Sequence, residues 1–324
     1  MVTRRELLTA LSSLMTVRLK ADTTYEGSSS SYVVSGFSRT VDQQPVNAKA
    51  MQFGYAAITW GSDIEKAMDD IAAVGFRGIQ LRGEAFAQFG DRPAALKDLL
   101  AARRLTFVAL SSGNLSIDPA REREELATHV RHAQFVRDAG GLFLQIIDER
   151  PKGRAIARDD YRRLGTLLTE LGKRTADLGV PMVYHHHMNS LGERPEEVGF
   201  VLDAADRQYV RLLFDTAHYQ QGGGDPVAAL SRYREWVEVL HLKDVRPAPP
   251  APPASPAPPA PAYQFVELGR GRVDLPGVFA ALREINFGGW AIVELDRVPD
   301  PGGTPRASAE INKRYLVEKL RQTI

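Results

Sequence analysis

The sequence predicts an α/β fold: a single (β/α)8 barrel that follows an N-terminal segment of different character. From residue 51 onward, short apolar segments with strand character alternate with segments whose apolar residues recur at helical spacing. Strands that alternate with helices pair in parallel, and eight such units close into a barrel. The chain has 324 residues, and a barrel of about 250 residues is normally one domain. We therefore predict one barrel domain at 51–324.

The first four strands are each followed by a predicted helix. Ser62 and Asp63 form a start signal for the first helix, and Gly75 closes it. Gly179 closes the helix that follows the fourth strand. The strands are predicted at 53–59, 78–81, 105–110 and 142–147, and the helices at 63–74, 93–103, 119–139 and 158–178.

The last four strands each end in a side chain that can bind a metal. The fifth is the apolar run at 181–187, which ends in three histidines. Neighbouring side chains on a strand point to opposite faces, so His185 and His187 share one face, and His186 is expected to be structural. The other strands end at Asp215, His241 and Glu294, and the helices are predicted at 194–205, 225–236, 274–285 and 306–322.

The N-terminal segment predicts export. Arg4 and Arg5 precede a short, moderately apolar stretch, and residues 1–22 therefore resemble a twin-arginine signal. Residues 23–50 are rich in Ser, Thr, Gly and Gln and predict a flexible linker. The expected location is periplasmic or extracytoplasmic. If the first residues instead form a frayed amphipathic helix, the location is cytoplasmic.

A Pro/Ala-rich insertion at 247–262 interrupts the barrel after the seventh strand. Such a composition cannot form a helix or a central strand, and it predicts an extended, polyproline-type loop on the surface. The loop lies on the face where a barrel carries its active site. We assign it no catalytic role. A recognition motif for a proline-binding domain is the alternative.

Composition excludes several classes of function. The net charge is +1 and no dense basic block occurs, so nucleic-acid binding is not expected. The chain has no cysteine, which excludes disulfides, thiolate nucleophiles and thiolate metal sites. Because thiolates are absent, any metal must be held by His, Asp and Glu. The apolar stretch near the N-terminus is too short to span a bilayer.

The ends of the last four strands predict a metal centre. The carboxyl ends of barrel strands converge on one mouth, and adjacent strands lie about 4.8 Å apart. His185, Asp215, His241 and Glu294 can therefore surround one ion. Two imidazoles and two carboxylates favour Mn or Co, with Fe, Zn or Mg as alternatives.

Such a centre predicts chemistry next to a ketone. A divalent ion bound to a ketone oxygen and an adjacent hydroxyl stabilises the enediolate that forms when the neighbouring carbon loses its proton. His187 or His218 could act as the base that removes this proton. Alternatively, His218 could hydrogen-bond a metal ligand. Lys243 could orient the substrate or polarise its carbonyl, and a solvated strand-end lysine is the alternative.

Several motifs lie at or near the ends of the last four strands. They are Tyr-His-His-His-Met at 184–188, Phe-Asp-Thr-Ala-His at 214–218, His-Leu-Lys-Asp-Val at 241–245 and the segments 222–226, 267–274 and 290–296. These motifs resemble the xylose-isomerase-like, sugar-phosphate isomerase/epimerase superfamily, and within it most closely the inosose (2-keto-myo-inositol) dehydratases. The resemblance extends from about residue 52 to the C-terminus.

The resemblance implies site residues. Asp215, His241 and Glu294 match the metal ligands of the family, and Glu294 would also be catalytic. His185 stands where the epimerase branch has glutamate, which makes epimerisation less favoured. Gln80 stands where many relatives have glutamate. The candidate substrate contacts are Glu84, Lys243 and Arg270.

The predicted function is a metal-dependent lyase, a dehydratase, that acts on a keto-polyol or keto-sugar such as an inosose or a 3-keto sugar. A sugar isomerase or epimerase with the same centre is the first alternative. A non-catalytic sugar-binding barrel is the second. The expected partner is a small carbohydrate or cyclitol, and the sequence leaves open whether the chain forms a homo-oligomer.

Overall fold

The computed structural model describes residues 50–248 and 262–324. The predicted signal at 1–22, almost all of the linker at 23–50 and most of the Pro/Ala-rich insertion lie outside the described residues. In the two described ranges, every helix is too short or too polar to cross a membrane.

Eight parallel strands close into a barrel, as the sequence predicts. They follow one another around the barrel in chain order, and the last pairs with the first. Two further strands form a separate antiparallel sheet. Within residues 50–248 and 262–324 the strands are β1 Gln52–Ala56, β2 Gly78–Arg82, β3 Thr106–Leu115, β4 Phe143–Asp148, β5 Met182–His185, β6 Val210–Asp215, β7 Val237–Leu242, β8 Asp244–Pro247, β9 Tyr263–Val266 and β10 Trp290–Val293.

Helices follow the barrel strands and cover their outer faces. They are α1 Ile64–Val74, α2 Gly83–Phe89, α3 Pro93–Ala102, α4 Glu122–Asp138, α5 Arg158–Ala176, α6 Pro195–Ala204, α7 Thr216–Gln221, α8 Pro226–Arg232, α9 Leu275–Glu284 and α10 Pro305–Arg314.

Some predicted element limits were wrong. The first strand ends at Ala56, because Ala57–Trp60 form a 3-10 turn. The helix predicted at 225–236 ends at Arg232. The last α-helix, predicted to residue 322, ends at Arg314, and Tyr315–Lys319 form a wider π-helical turn. The helices α2 and α7 were not predicted because each begins directly at a strand end, and the cap of α7, Asp215, was interpreted only as a strand-end ligand.

An apolar layer fills the interior of the barrel below its mouth. It includes one residue from each of the last four barrel strands, namely Val183, Leu213, Val239 and Ile292. Side chains two residues apart on a strand share a face. The next inward positions, on or directly after the same strands, are occupied by His185, Asp215, His241 and Glu294. The apolar layer is therefore the floor on which these four side chains lie.

The strands β8 and β9 form an antiparallel hairpin that was not predicted. The amide of Ala248 donates to the carbonyl of Ala262 over 3.0 Å, which extends the pairing beyond the two strands. The ring of Phe265 lies 4.9 Å from the ring of His218, centroid to centroid. The Nζ of Lys243 lies 4.1 Å from the same Phe265 ring. The hairpin therefore lies beside the predicted catalytic residues, and residues 249–261 connect its strands.

Replacing residues 249–261 by a short Gly/Ser linker is expected to leave the melting temperature and the metal content nearly unchanged. The hairpin pairs through residues outside this segment, and halving a loop lowers its closure cost by only about 0.6 kcal/mol. Thermal melts and metal analysis measure the effect. A control that also removes β8 and β9 should melt at lower temperature. A clear loss of stability in the first variant would show that the segment packs on the barrel.

Candidate metal centre and substrate cavity

The four side chains predicted as ligands lie together at the mouth of the barrel, and all four are buried. The Oδ2 of Asp215 is 3.6 Å from Nε2 of His185 and 3.4 Å from Nδ1 of His241. The same Nδ1 of His241 is 3.4 Å from Oε2 of Glu294. Ligand atoms at 2.0–2.2 Å around a tetrahedral ion are about 3.4 Å apart. These three distances therefore suit a divalent cation. Ligand atoms within 4.8 Å of one another form two groups that share Asp215: one contains His185 and His218, and the other contains His241 and Glu294.

Three of these atoms have no other role in the fold. His185 Nε2, Asp215 Oδ2 and His241 Nδ1 are buried and have no hydrogen-bond partner among residues 50–248 and 262–324. Buried polar atoms are nearly always satisfied, so an exception requires an explanation. Three exceptions in mutual contact have a common explanation in an ion. The residues therefore fit a metal, and metal binding itself stays a prediction.

Gln80 sets the proton position on His241. The amide oxygen of Gln80 lies 2.8 Å from Nε2 of His241. An amide oxygen only accepts, so His241 carries its proton on Nε2, and Nδ1 presents a lone pair to the cluster. The amide nitrogen of Gln80 donates to Oε2 of Glu294 over 3.3 Å. Gln80 thus holds two candidate ligands.

Asp215 divides its oxygens between a helix and the cluster. Its Oδ1 accepts from the amides of Ala217 and His218, both at 2.8 Å, and so caps α7. Burial alone would raise the pKa of Asp215, but the neighbouring His218, His185 and His241 hold it well below its usual value. The helix start therefore fixes a charged carboxylate with its Oδ2 directed at the two imidazoles.

Lys243 holds Glu294 in place. Its Nζ donates to Oε1 of Glu294 over 2.8 Å and also to Asp296, and it lies 3.3 Å from Nε2 of His218. Burial alone would lower the pKa of Lys243, but Asp296, Glu294 and Asp215 raise it above its usual value. Burial would raise the pKa of Glu294, but His241 and Lys243 lower it to about 2. Lys243 and Glu294 therefore form an ion pair between an ammonium and a carboxylate.

A cavity of about 410 Å³ opens beside the candidate centre. This volume lies within the range of small-ligand sites. Most of its lining residues have polar side chains, and many of them come from β2, β3 and β4 or the residues beside these strands. The lining residues are Ile58, Gln80, Arg82, Gly83, Glu84, Ser111, Ser112, Gly113, Asn114, Gln145, Ile147, His185, His187, Glu294 and Asp296.

Sequence reasoning missed most of the polar lining. Ser111 and Gln145 lie inside β3 and β4, and Asp296 lies three residues beyond the end of β10. The rule that identified the ligands considered only metal-binding residue types at strand ends, so it did not find these three residues.

The two histidines predicted as bases differ in their access to the cavity, although their ring centroids lie only 3.8 Å apart. His187 lines the cavity, and its Nδ1 is 2.7 Å from the carbonyl of Met188. A carbonyl only accepts, so neutral His187 keeps a lone pair on Nε2. His218 is buried, and its Nδ1 accepts from the amide of Met188 over 3.2 Å. The described residues that line the cavity do not include His218. His187 is therefore the better placed base.

The predicted substrate contacts are also separated. Glu84 lines the cavity and lies 3.6 Å from the guanidinium of Arg82. Lys243 is enclosed by its carboxylate partners, as described above. Arg270 pairs with Glu267 and Asp300, each at 3.0 Å. In the part of the chain that the structure covers, neither Lys243 nor Arg270 lines the cavity.

The metal-free protein is expected to lose stability as the pH falls below about 6.5. Burial lowers the pKa of His185 to about 3 and of His186 to about 4, and it lowers the pKa of His218 strongly. The folded state therefore favours neutral rings, whereas unfolded histidines take up protons near pH 6.5. Urea midpoints of chelator-treated protein from pH 7.5 to 5 test this. A constant midpoint would contradict it.

The fold and the site together define an α/β-barrel protein with a candidate divalent-metal centre at its C-terminal mouth and a polar cavity beside it. Residues 68–316 match the family model described as xylose isomerase-like TIM barrel. The chain belongs to this family, and the resemblance seen in its motifs is confirmed.

The similar proteins include dehydratases and epimerases. An inosose dehydratase of Lacticaseibacillus casei is 27% identical over 296 residues, which cover 82% of this chain and 96% of the relative. A crystal structure of the IOLI protein with a binding zinc atom has a TM-score of 0.67 at 18% identity and covers 83% of this chain and 97% of its own. D-Psicose 3-epimerase from Clostridium cellulolyticum H10, with D-tagatose, has a TM-score of 0.66 at 15% identity, with coverage of 84% and 99%. The chain is an enzyme of the lyase or isomerase class.

Proposed function

We propose that the protein is a metal-dependent dehydratase that acts on a keto-polyol or keto-sugar, such as an inosose or a 3-keto sugar. The similarity to an inosose dehydratase over nearly its whole length supports the reaction and the substrate class. The candidate ligands, two imidazoles and two carboxylates, suit Mn or Co, with Fe, Zn or Mg as alternatives.

One observation carries the metal dependence. His185 Nε2, Asp215 Oδ2 and His241 Nδ1 are buried together, and none has a hydrogen-bond partner in the described ranges. A barrel that only bound sugars would gain nothing from three unsatisfied polar atoms beneath its cavity. The cluster therefore supports an enzyme over the non-catalytic alternative.

A divalent cation held by His185, Asp215, His241 and Glu294 would supply Lewis-acid stabilisation of the negative charge that develops on a ketone oxygen. The proton is then moved by His187. Its Nε2 has a free lone pair, and its ring lines the cavity. This atom can take the proton from the carbon next to the carbonyl. The protonated ring can deliver the same proton to the departing hydroxyl, which leaves as water.

Lys243 and Asp296 support this chemistry beside Glu294, because the ammonium of Lys243 contacts both carboxylates. Lys243 neutralises the carboxylate pair and keeps Glu294 beside His241. Asp296 also lines the cavity, where its carboxylate can accept from a substrate hydroxyl. Both residues position groups, and neither needs to exchange a proton with the substrate.

A sugar isomerase or epimerase with the same centre is the second candidate. An epimerase needs proton-transfer groups on both faces of one carbon, and the resemblance places that second group at the position of His185. Here Nε2 of His185 faces Asp215 at 3.6 Å, within the ligand cluster. Glu84 is the observation that favours the second candidate, because it adds a carboxylate to the cavity.

The test is turnover of an inosose in D2O with added Mn, followed by NMR. We expect a dehydrated product and recovered substrate that keeps its configuration. His187→Gln should retain the metal and lose about 100-fold or more in turnover, in line with loss of a general base. A C-epimer carrying one deuterium, formed without dehydration, would establish the isomerase candidate instead.

A further inference from the structure

A second cavity of about 260 Å³ lies next to the first. The two share Ser112 and Asn114, at the end of β3, in their linings. The rest of the second lining comes from Arg121 and the first half of α4, namely Glu124, Glu125, Thr128 and His129. The second cavity therefore extends the substrate cavity outward, between a strand end and a helix.

Ser112 and His129 line the second cavity, and Ser112 also contacts His132 behind this wall. The Oγ of Ser112 lies 2.6 Å from Nδ1 of His129 and 2.7 Å from Nδ1 of His132. A hydroxyl has one proton, so Ser112 can donate to one ring and must accept from the other. This arrangement fixes the orientation of both rings relative to the shared wall.

His129 presents an unsatisfied atom in this wall. Its side chain is 3% exposed, and its Nε2 has no hydrogen-bond partner in the part of the chain that the structure describes. The nearest carboxylate oxygen, Oε2 of Glu125, is 3.7 Å away, which is too long for a hydrogen bond. A ligand hydroxyl beside both groups can bond to the ring nitrogen and donate to the carboxylate.

The charges of the second cavity disfavour an anionic ligand. The guanidinium of Arg121 is already bound to Glu125 at 2.5 Å and to Glu149 at 2.7 Å. An anion would therefore have to compete with two carboxylates for this cation. The remaining groups mix acceptors and donors, as Glu124, Asn114 and Thr128 do. A ring that carries several hydroxyls matches such a mixture.

We propose that the second cavity is a binding subsite for a second hydroxyl-bearing ring, so that the substrate is a two-ring keto-glycoside whose keto ring occupies the first cavity. This inference rests on the proposed dehydratase function for the identity of the keto ring. The subsite itself rests on the shared wall and on the unsatisfied nitrogen of His129. The chemical step is unchanged, because the second ring only adds contacts outside the barrel mouth.

The test compares binding of glucose with binding of cellobiose, maltose and trehalose by calorimetry. We expect at least one disaccharide to bind about tenfold more tightly than glucose, a difference of about 1.4 kcal/mol. Thr128→Trp, which fills the second cavity, should reduce this ratio to near one. The matched control is Thr166→Trp, on an exposed position of α5, which should keep the ratio.

Two outcomes would overturn the subsite: no disaccharide binds more tightly than glucose, or Thr128→Trp keeps the preference. If Thr128→Trp does not fold, His129→Phe removes the unsatisfied nitrogen at similar volume and must reduce the same ratio. Binding requires no turnover. A preference that both variants reduce, in a protein that dehydrates no keto substrate, would therefore support the subsite while overturning the proposed reaction.

Discussion

Replacing Asp215 by asparagine is expected to abolish stoichiometric metal binding and, with it, dehydration. Asparagine keeps a carbonyl oxygen that can accept from the amides of Ala217 and His218, so α7 keeps its cap. It loses the negative charge beside His185 and His241. Loss of an outer hydrogen-bond partner alone lowers metal affinity about 10- to 100-fold. We therefore expect Asp215→Asn to weaken affinity more than about 100-fold, measured by chelator competition.

Asp225→Asn is the matched control for this experiment. Asp225 caps α8 through the amides of Val227 and Ala228, as Asp215 caps α7, but it lies outside the cluster. The control should lose a little stability and keep its metal. If Asp215→Asn binds metal as tightly as the unaltered protein, the assignment of the ligand cluster is wrong.

Replacing Lys243 by methionine is expected to lower the free energy of unfolding by about 3–5 kcal/mol. The substitution removes the ammonium that pairs with Glu294 and Asp296, and it leaves a fully buried site with uncompensated carboxylate charge. Breaking a buried pair by removing one partner carries this large cost because the other charge remains. Urea denaturation at neutral pH measures the loss.

Arg162→Met provides the control. Arg162 lies 2.6 Å from Asp159, and both side chains are exposed, at 67% and 83%. An exposed ion pair contributes at most about 1 kcal/mol, so the control should unfold almost as the unaltered protein does. Equal losses in the two variants would show that the Lys243 pair is not the buried ionic contact described above. Lys243→Met should also weaken metal binding, because Glu294 loses the group that holds it beside His241.

The order of strands and helices could be predicted because it depends on local signals. Periodic apolar residues, helix start signals such as Asp63 and closing glycines such as Gly75 act within a few residues of one another. The structure confirms the barrel and most element limits. The helices α2 and α7 were missed because they begin at strand ends, and the hairpin of β8 and β9 was missed because it borders a segment of Pro and Ala.

The candidate ligands could also be predicted, for a geometric reason. Strand side chains alternate strictly, and barrel strands end at one mouth. A metal-capable residue at the end of each of four successive strands must therefore approach its neighbours. His185, Asp215, His241 and Glu294 lie together in the structure, one layer above the apolar floor.

The sequence by itself thus determined the barrel and the group of side chains at its mouth, because both follow from periodicity along one chain. Only the tertiary structure decided that His187 lines the cavity while His218 does not. It also decided that Lys243 pairs with Glu294 and that Arg270 pairs with Asp300, away from the cavity. These outcomes depend on contacts between side chains that are far apart in the sequence. Packing across the barrel determines these contacts, and no local sequence pattern predicts them.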